Sequence, residues 1–267
     1  MWIPISDAPI ACFPHFEVAA ESGDWIVADK GAPLIVHPSN GKKEPNLLEG
    51  VEALLLYEIT NGAVLSLVNR LDRETSGLTL IAKNKAAARQ LGRAMQRRLM
   101  HKEYLAIVRG RPEWKETTCD APILRQGDVS ESRIWVKQAV HPAGKECSTV
   151  FRVERAWNTS HGPLALVRCI PVTGRMHQIR VHLAHLGHPI LGDKIYGPSE
   201  ECYLDYIQHG WSRELEEKLI LPRHALHACR LAFPFDEQMF TVKAPLPEDM
   251  RRLLEAGTRE DSVKRPE

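Results

Sequence analysis

The sequence predicts an α+β fold built on a mixed sheet. Segments with the alternation and β-branched content of strands outnumber the segments with helical periodicity. The strand candidates do not alternate regularly with helices, as a parallel α/β sheet would require. With 267 residues, 43% of them apolar and 26% charged, the chain has the composition of a globular protein and can bury a substantial core.

The strand candidates follow about 20 proline-rich residues with weak patterning. Each candidate is a short apolar run bounded by glycine, proline or polar turn residues. The candidates are residues 24–29, 34–37, 63–68, 78–82, 104–108, 148–153, 164–170 and 226–233. A polar turn, residues 69–77, joins two of them and places many charged side chains at one end of the sheet.

Two helices stand out, and a charged tail follows them. Residues 85–100 carry an apolar stripe at i+4 spacing, formed by Ala87, Leu91, Met95 and Leu99. A second helix is predicted over about 175–186, where Thr173 and Gly174 precede it and Gly187 ends it. Residues 249–267 are charged, and we expect this tail to begin as a helix and then fray.

The charge is balanced overall but not locally. The chain has 35 Lys+Arg against 34 Asp+Glu, whereas residues 83–115 contain ten basic residues and two acids. Four of the basic residues recur every four positions along the first helix: Lys85, Arg89, Arg93 and Arg97. Such a row is either a solvated helix face or a surface that follows the phosphates of a nucleic acid.

The sequence excludes several classes of protein. It has neither an apolar run of membrane-spanning length nor a signal-peptide pattern, so we expect a cytoplasmic protein without a membrane partner. The six cysteines form no C-x-x-C pair, and we expect reduced thiols. P-loop, dinucleotide-binding and nucleophile-elbow motifs are absent.

A histidine cluster raises the question of a metal site. His177, His182, His185 and His188 fall within twelve residues. His177 and His182 would lie about 140° apart on a helix, and no His-Glu-x-x-His motif or cysteine pair accompanies them. We therefore expect no metal, and a metal-dependent hydrolase is the weakest of the hypotheses.

One carboxylate lies in a basic setting. Asp72 is flanked by Arg70 and Arg73, and neighbouring cations favour its ionised form. An anion of this kind either forms structural ion pairs or acts as a nucleophile, and the residues alone favour the structural role.

Four segments, in order, resemble the RluA-family RNA pseudouridine synthases. Residues 69–83, which begin Asn-Arg-Leu-Asp-Arg-Glu-Thr-Ser-Gly-Leu, are similar to the catalytic segment of that family, usually His-Arg-Leu-Asp-x-x-Thr-Ser-Gly-Leu. Residues 102–110 resemble its Lys-x-Tyr-x-Ala strand, and residues 173–193 its longest signature. Residues 25–30, with His37 and Pro38, match its opening strands more loosely. The resemblance extends over about residues 24–235.

The resemblance implies an enzyme that isomerises uridine to pseudouridine in structured ribosomal or transfer RNA. The family breaks the glycosidic bond, turns the uracil and rejoins it through carbon 5, without a cofactor or metal. Its fold implies a mostly antiparallel mixed sheet with flanking helices and a central catalytic cleft. The alternative is a non-catalytic protein that binds or folds RNA on the same scaffold.

The resemblance also implies roles for single residues. Asp72 corresponds to the catalytic aspartate and Arg180 to its partner. Tyr104 corresponds to the residue that stacks on the uracil and helps to remove the proton from carbon 5. Arg70 would fill the space that the flipped nucleotide leaves. Backbone contacts would come from a basic set comprising Arg73, Lys85, Arg89, Arg93, Arg97 and Arg175.

Two positions depart from the family pattern. Asn69 replaces the usual histidine, which excludes proton transfer there, and Met176 replaces a small hydroxyl residue.

We expect an N-terminal extension at 1–23, a catalytic domain at 24–248 and the charged tail at 249–267, without an accessory RNA-binding domain. A monomer is the default expectation.

Overall fold

A ten-stranded sheet organises the chain, and it is mixed and mostly antiparallel. The computed structural model describes residues 15–38 and 44–263. The strands are β1 (Phe16–Glu21), β2 (Trp25–Lys30), β3 (Ser66–Leu67), β4 (Ser76–Ala82), β5 (His101–Arg109), β6 (Glu116–Cys119), β7 (Ile123–Arg125), β8 (Gln138–Val140), β9 (Thr149–Thr159), β10 (Gly162–Pro171), β11 (Leu226–Phe235) and β12 (Gln238–Lys243). The α+β class that the sequence predicts is confirmed.

The strand order is β1-β2-β4-β11-β5-β10-β9-β6, with β3 beside β4 and β12 beside β11. β7 and β8 form a separate two-stranded sheet. The pairing of β4 with β11 is parallel and covers only the starts of the two strands, where His227 lies opposite Ser76 and Ala228 opposite Gly77. Beyond those pairs β3 continues along β4, and β12 continues along β11.

Seven α-helices of the described residues flank the sheet. They are α1 (Leu47–Leu54), α2 (Leu56–Thr60), α3 (Lys85–Gln96), α4 (Gln178–His185), α5 (Glu201–His209), α6 (Arg213–Leu219) and α7 (Glu248–Val263). No helix in the described part of the chain has the length and apolar character needed to cross a membrane.

Apolar side chains cover both faces of the sheet around β2 and β4. Trp25 and Val27 of β2 pack in the core under α3, whereas Ile26 and Ala28 pack on the opposite face with α1. All seven residues of β4 are buried. A strand buried on both faces reads as a continuous apolar run, and β4 therefore forms a rigid base for the polar loop that precedes it.

The prediction of a strand at 34–37 is wrong, and the strand predicted at 63–68 is reduced to β3. Ile35 forms a single bridge with Asn46. The backbone of Leu34 is used elsewhere, because its N–H donates to the carbonyl of Arg73 and its own carbonyl accepts from the ammonium group of Lys30. This segment therefore supports the polar loop instead of extending a sheet.

Both predicted helices are shorter than expected. α3 ends at Gln96 because Arg98 adopts a left-handed conformation (φ 56°) and the Leu99 N–H bonds back to Ala94, which leaves Leu99 exposed. α4 begins at Gln178, so Met176 lies outside the helix that carries Arg180.

Several elements were not anticipated from the sequence. Among them are β1, which lies within the expected N-terminal extension, the helices α1, α2, α5 and α6, and the strands β6, β7, β8 and β12. The helix expected at the start of the charged tail is present as α7, and Met250 in its first turn is buried in the main core. Five cysteines are buried and free, and Cys12 lies outside the described residues.

Gly77 permits the close approach of β4 to β11. A Cβ atom at this position would lie 2.4 Å from the Ala228 carbonyl oxygen, and its φ of +109° is a conformation that L side chains rarely adopt. We expect Gly77→Ala to destabilise the fold by roughly 2 to 5 kcal/mol in denaturant titrations followed by circular dichroism.

Gly92 provides the matched control for this prediction. It lies within α3, and no atom lies within 4 Å of a Cβ placed there. Gly92→Ala is expected to stabilise the protein by about 0.5 to 1 kcal/mol. Equal effects of the two substitutions would contradict the interpretation of the β4–β11 contact.

Candidate active site

A cleft of about 990 Å³ opens beside the starts of β4 and β11. Four connections line it. They are the segment between β2 and α1 (residues 35–37), the polar loop before β4, hereafter the Asp72 loop (residues 69–75), the segment between α3 and β5, and the segment between β10 and α4. Asp72, Tyr104 and Arg180 all line this cleft, so the structure brings together three residues that lie far apart in the sequence.

The Asp72 loop is anchored at its first residue by Asn69. The side-chain Oδ1 of Asn69 accepts from the Leu80 N–H at 2.8 Å, and its Nδ2 donates to the Leu78 carbonyl at 3.2 Å. Both ends of the amide are therefore bound to the backbone of β4. Asn69, a departure from the family pattern, has a structural role here that needs no titratable group.

Lys30 supports the Asp72 loop from beneath. This lysine is fully buried, and its Nζ donates to the carbonyls of Leu34 at 2.8 Å, Gly31 at 3.0 Å and Arg73 at 3.2 Å. Burial, and then the positive charge of Arg223, lower its pKa to about 7. The loop that carries Asp72 is thus attached to β2 through one buried side chain.

Arg180 joins two carboxylates. Its Nε donates to Oδ2 of Asp193 at 2.7 Å and its Nη2 to Oδ1 of Asp193 at 2.9 Å. Its Nη1 donates to Oδ2 of Asp72 at 3.0 Å. The side chains of Arg180 and Asp193 are buried, whereas that of Asp72 is 31% exposed. Because Asp193 binds two nitrogens of the guanidinium, the remaining edge is fixed toward Asp72.

The electrostatics of the cleft keep Asp72 ionised. Burial alone would raise the pKa of this carboxyl, but His177, Arg180 and His224 outweigh that effect and hold the pKa below its ordinary value. For Asp193, burial is likewise outweighed by the charge and hydrogen bonds of Arg180, so its pKa is lowered. The site therefore contains two carboxylates that share one buried cation.

Tyr104 offers a neutral aromatic surface in the cleft. It lies on β5 opposite Ala228, and its side chain is buried. Burial, and then the negative charge of Asp72, raise the pKa of its phenol. The phenol group therefore remains protonated at neutral pH. A neutral side chain of this kind suits stacking on a base better than it suits removal of a proton as a phenolate.

The basic residues predicted near Asp72 lie around the cleft. Arg70 is exposed, and its Nη1 lies 3.4 Å from Nε2 of His37. Arg73 forms an ion pair with Glu44. Arg175 is exposed at the rim, and its guanidinium lies 3.5 Å from the carbonyl of Glu146.

The basic row on α3 is separated from this cleft. Arg89, Arg93 and Arg97 line a second groove of about 420 Å³, together with Pro234 and Phe235. Lys85 is exposed at the start of α3 and lines neither concavity. Arg98 lines the main cleft instead, because its left-handed backbone turns the chain away from the axis of α3, which ends at Gln96.

The four clustered histidines have different surroundings. His182 is buried between Thr149 and the Ala121 carbonyl, His185 is exposed, and His188 binds the carbonyl of Arg109. Over residues 15–38 and 44–263, no group of three or more His, Cys, Asp or Glu side chains is arranged to hold a metal ion.

The sequence interpretation gave no role to Asp193 or His177. Asp193 lies in a buried turn and fixes Arg180, and Nε2 of His177 lies 3.8 Å from Oδ2 of Asp72. Both residues fall within or at the end of the segment that resembles the longest family signature. That resemblance was the available signal, since helical spacing cannot pair Arg180 with a residue beyond the end of α4.

Comparisons with known proteins identify the family of the chain. A family model described as RNA pseudouridylate synthase matches residues 24–185. Ribosomal large subunit pseudouridine synthase D of Nitrosomonas europaea is 36% identical over 256 residues, which cover 94% of this chain and 68% of the relative. Ribosomal large subunit pseudouridine synthase C of Escherichia coli is also 36% identical, over 92% of this chain and 73% of the relative.

The fold is shared with solved human structures. RNA pseudouridylate synthase domain containing 1 aligns with a TM-score of 0.67 and 23% identity, over 94% of this chain and 97% of the human one. RNA pseudouridylate synthase domain containing 4 aligns with a TM-score of 0.68, also at 23% identity, over 90% and 92%. From the family match and the bacterial relatives, the chain belongs to the RluA-type family of RNA pseudouridine synthases.

Proposed function

We propose that this RNA pseudouridine synthase acts on large-subunit ribosomal RNA, with Asp72 as the reacting carboxylate. The observation that carries the proposal is the 3.0 Å contact between Arg180 and Asp72 at an open cleft. Both bacterial relatives described above are named as synthases of the large ribosomal subunit, which supports ribosomal over transfer RNA. Such a substrate also agrees with the expected cytoplasmic location.

The proposed reaction suits a site that offers one ionised carboxylate. The bond between N1 and C1′ of the ribose breaks, the uracil turns, and a bond forms between C1′ and carbon 5. Carbon 5 loses its proton and N1 takes one up, so the net change is an isomerisation. Attack on the ribose, attack on the base and removal of a proton each require Asp72 as a carboxylate. Arg180 favours that ionised form, and its fixed position limits the directions in which the carboxylate can point.

The cleft can hold a nucleotide that has left its helical stack. Tyr104 would stack on the uracil with its protonated ring, and Arg70 is exposed and free to occupy the vacated space in the RNA. Arg73 and Arg175 lie beside the same cleft and would contact the flanking phosphates.

A protein that only binds or folds RNA has no need of a carboxylate in its RNA-binding cleft. A carboxylate in a groove that binds phosphates opposes binding, because it repels the phosphate charge. Asp72 nevertheless lines the cleft with 31% of its side chain exposed. This favours the enzyme over a protein that only binds or folds RNA.

The basic row on α3 extends the proposed RNA surface beyond the cleft. Arg97 lines the second groove, and the next residue, Arg98, lines the cleft. Within the described part of the chain, Lys85, Arg89, Arg93 and Arg97 form no ion pair with a carboxylate. An RNA strand that leaves the cleft past Arg98 would meet Arg97, Arg93 and Arg89 in turn.

The proposed unit is one catalytic domain at residues 24–248, which acts as a monomer. Asp72, Tyr104 and Arg180 all come from one chain, so the cleft needs no residue from a partner. We propose that no cofactor takes part, as the resemblance to the family implies.

Replacing Asp72 tests the catalytic proposal. Unmodified ribosomal and transfer RNA transcripts labelled with tritium at carbon 5 of uracil would be incubated separately with each protein. We expect tritium release from ribosomal RNA, and a loss of roughly 10³-fold or more in Asp72→Asn, because an amide cannot replace the carboxylate. Asp128→Asn, which alters an exposed carboxylate paired with Arg125, should release tritium normally.

Two outcomes would contradict the proposal in different ways. Release from transfer RNA alone would identify a different substrate. Tight RNA binding without release from either transcript would favour the non-catalytic protein.

Replacing Arg89 and Arg93 together with glutamine tests the second groove. The slope of log affinity against log salt is negative, and each lost phosphate contact should reduce its magnitude by about 0.7 to 0.9. The slope of the double variant should therefore be smaller in magnitude by roughly 1.4 to 1.8. Filter binding of a long ribosomal fragment at several salt concentrations measures the slope. Arg213→Gln, at a side chain that is 90% exposed on α6, should leave the slope unchanged. Equal slopes for wild type and double variant would remove the groove from the RNA path.

A further inference from the structure

His177 occupies an unusual position next to Asp72. It precedes α4 with a left-handed backbone (φ 56°), a conformation that is uncommon for a residue with a side chain. Its ring lines the cleft with only 9% of the side chain exposed, and Nε2 lies 3.8 Å from Oδ2 of Asp72. Such conformations concentrate at functional sites, where the surrounding structure maintains them.

The other ring nitrogen of His177 ends a chain of hydrogen bonds. The backbone N–H of Gln138, on β8, donates to the Tyr196 hydroxyl at 2.8 Å. That hydroxyl lies 2.8 Å from Nδ1 of His177. A phenol has one proton to donate, and its oxygen here already accepts from Gln138. All three groups are satisfied when Tyr196 donates its proton to Nδ1.

We propose that Tyr196 fixes His177 in the Nε2–H tautomer, and that this N–H is a positioning group that orients the Asp72 carboxylate for the reaction. With Nδ1 acting as the acceptor, the ring proton must lie on Nε2, the nitrogen that faces Asp72. The present separation is longer than a hydrogen bond, and catalytic contacts commonly shorten only when substrate closes the site. This inference rests on the proposed role of Asp72.

The charge state of His177 agrees with this role. Burial and the positive charge of Arg180 lower the pKa of His177 to about 4, although Asp72 and Asp193 act in the opposite direction. The ring is therefore neutral at neutral pH, where Arg180 supplies the cationic charge beside Asp72. The charge by which His177 lowers the pKa of Asp72 is present only in the acidic range where both groups titrate. The opposite tautomer would direct a lone pair at the carboxylate, which would repel it and raise the pKa of Asp72.

The geometry separates the tasks of Arg180 and His177. Arg180 contacts Oδ2 of Asp72 with one nitrogen and is fixed by Asp193. His177 approaches the same oxygen from the segment before α4, and its own orientation depends on β8 through Tyr196. The separate β7–β8 sheet thereby reaches the active site through two hydrogen bonds.

The first test measures the tautomer directly. Long-range ¹H–¹⁵N correlation spectra of the ¹⁵N-labelled protein distinguish Nε2–H from Nδ1–H in a neutral imidazole. We expect the Nε2–H pattern for His177 in the wild-type protein. In Tyr196→Phe we expect signals from a mixture of the two tautomers. His177→Asn, which tolerates the left-handed backbone, identifies the signal by its disappearance. A wild-type ring protonated at Nδ1 would overturn the proposal without the need for any variant.

The second test is kinetic. Tyr196→Phe should lower kcat for tritium release by roughly 10-fold to 100-fold with little change in KM. The loss should appear above about pH 4, where His177 is neutral and its tautomer depends on Tyr196, and should shrink below it, because protonation then places an N–H on Nε2 in either protein. A structural role alone would not make the loss depend on pH in this way. Tyr203→Phe on α5 is the matched control and should behave as wild type.

The outcomes separate this inference from the proposed function. Wild-type activity that is lost in Asp72→Asn but unchanged in kcat and pH profile in Tyr196→Phe would overturn the inference alone. Absence of activity in wild type on every RNA would overturn the proposed function, while the spectra would still report the tautomer. If Tyr196→Phe were unstable because Gln138 loses its acceptor, His177→Asn would carry the same kinetic expectation for kcat.

Discussion

The proposed active site depends on the placement of one guanidinium between two carboxylates. Arg180 binds Asp193 through two nitrogens and Asp72 through the third. Asp193 supplies the buried counter-charge that makes a buried arginine tolerable, and it sets the direction of the edge that meets Asp72. Asp72 and Arg180 are 108 positions apart in the chain, so this contact also joins the loop before β4 to the helix after β10.

The rest of the fold fixes the backbone of the Asp72 loop, and one side of this loop lines the cleft. Asn69 binds the loop to β4, and Lys30 binds it to β2. Gly77 allows β4 to approach β11 directly after the loop ends. Groups that are rigidly held need little reorganisation when charge moves during a reaction, which is the main electrostatic contribution of a protein to catalysis.

The class of the fold followed from local pattern, whereas the site depended on tertiary contacts. Strand alternation was sufficient to predict α+β, and the structure confirms it. The prediction that places Leu34 in a strand is wrong, because the backbone of this residue hydrogen-bonds to Arg73 of the Asp72 loop and to Lys30. The local sequence pattern does not predict these tertiary contacts. The catalytic role proposed for Asp72 rests on the resemblance, since the flanking arginines alone favour a structural ion pair. The regular spacing of Arg89, Arg93 and Arg97 predicted one basic face but not its separation from the cleft.

The central claim is that the cleft holds Asp72 ionised before RNA binds, and a carboxyl titration tests it most directly. The ¹³C resonance of the Asp72 carboxyl, followed against pH in the free protein, should titrate with a midpoint below the ordinary value of 3.8. In Arg180→Gln the midpoint should rise, because one of the charges that offset burial is removed while His177 and His224 remain. A wild-type midpoint at or above 3.8 would contradict the claim that Arg180 and its neighbours prepare the carboxylate for reaction.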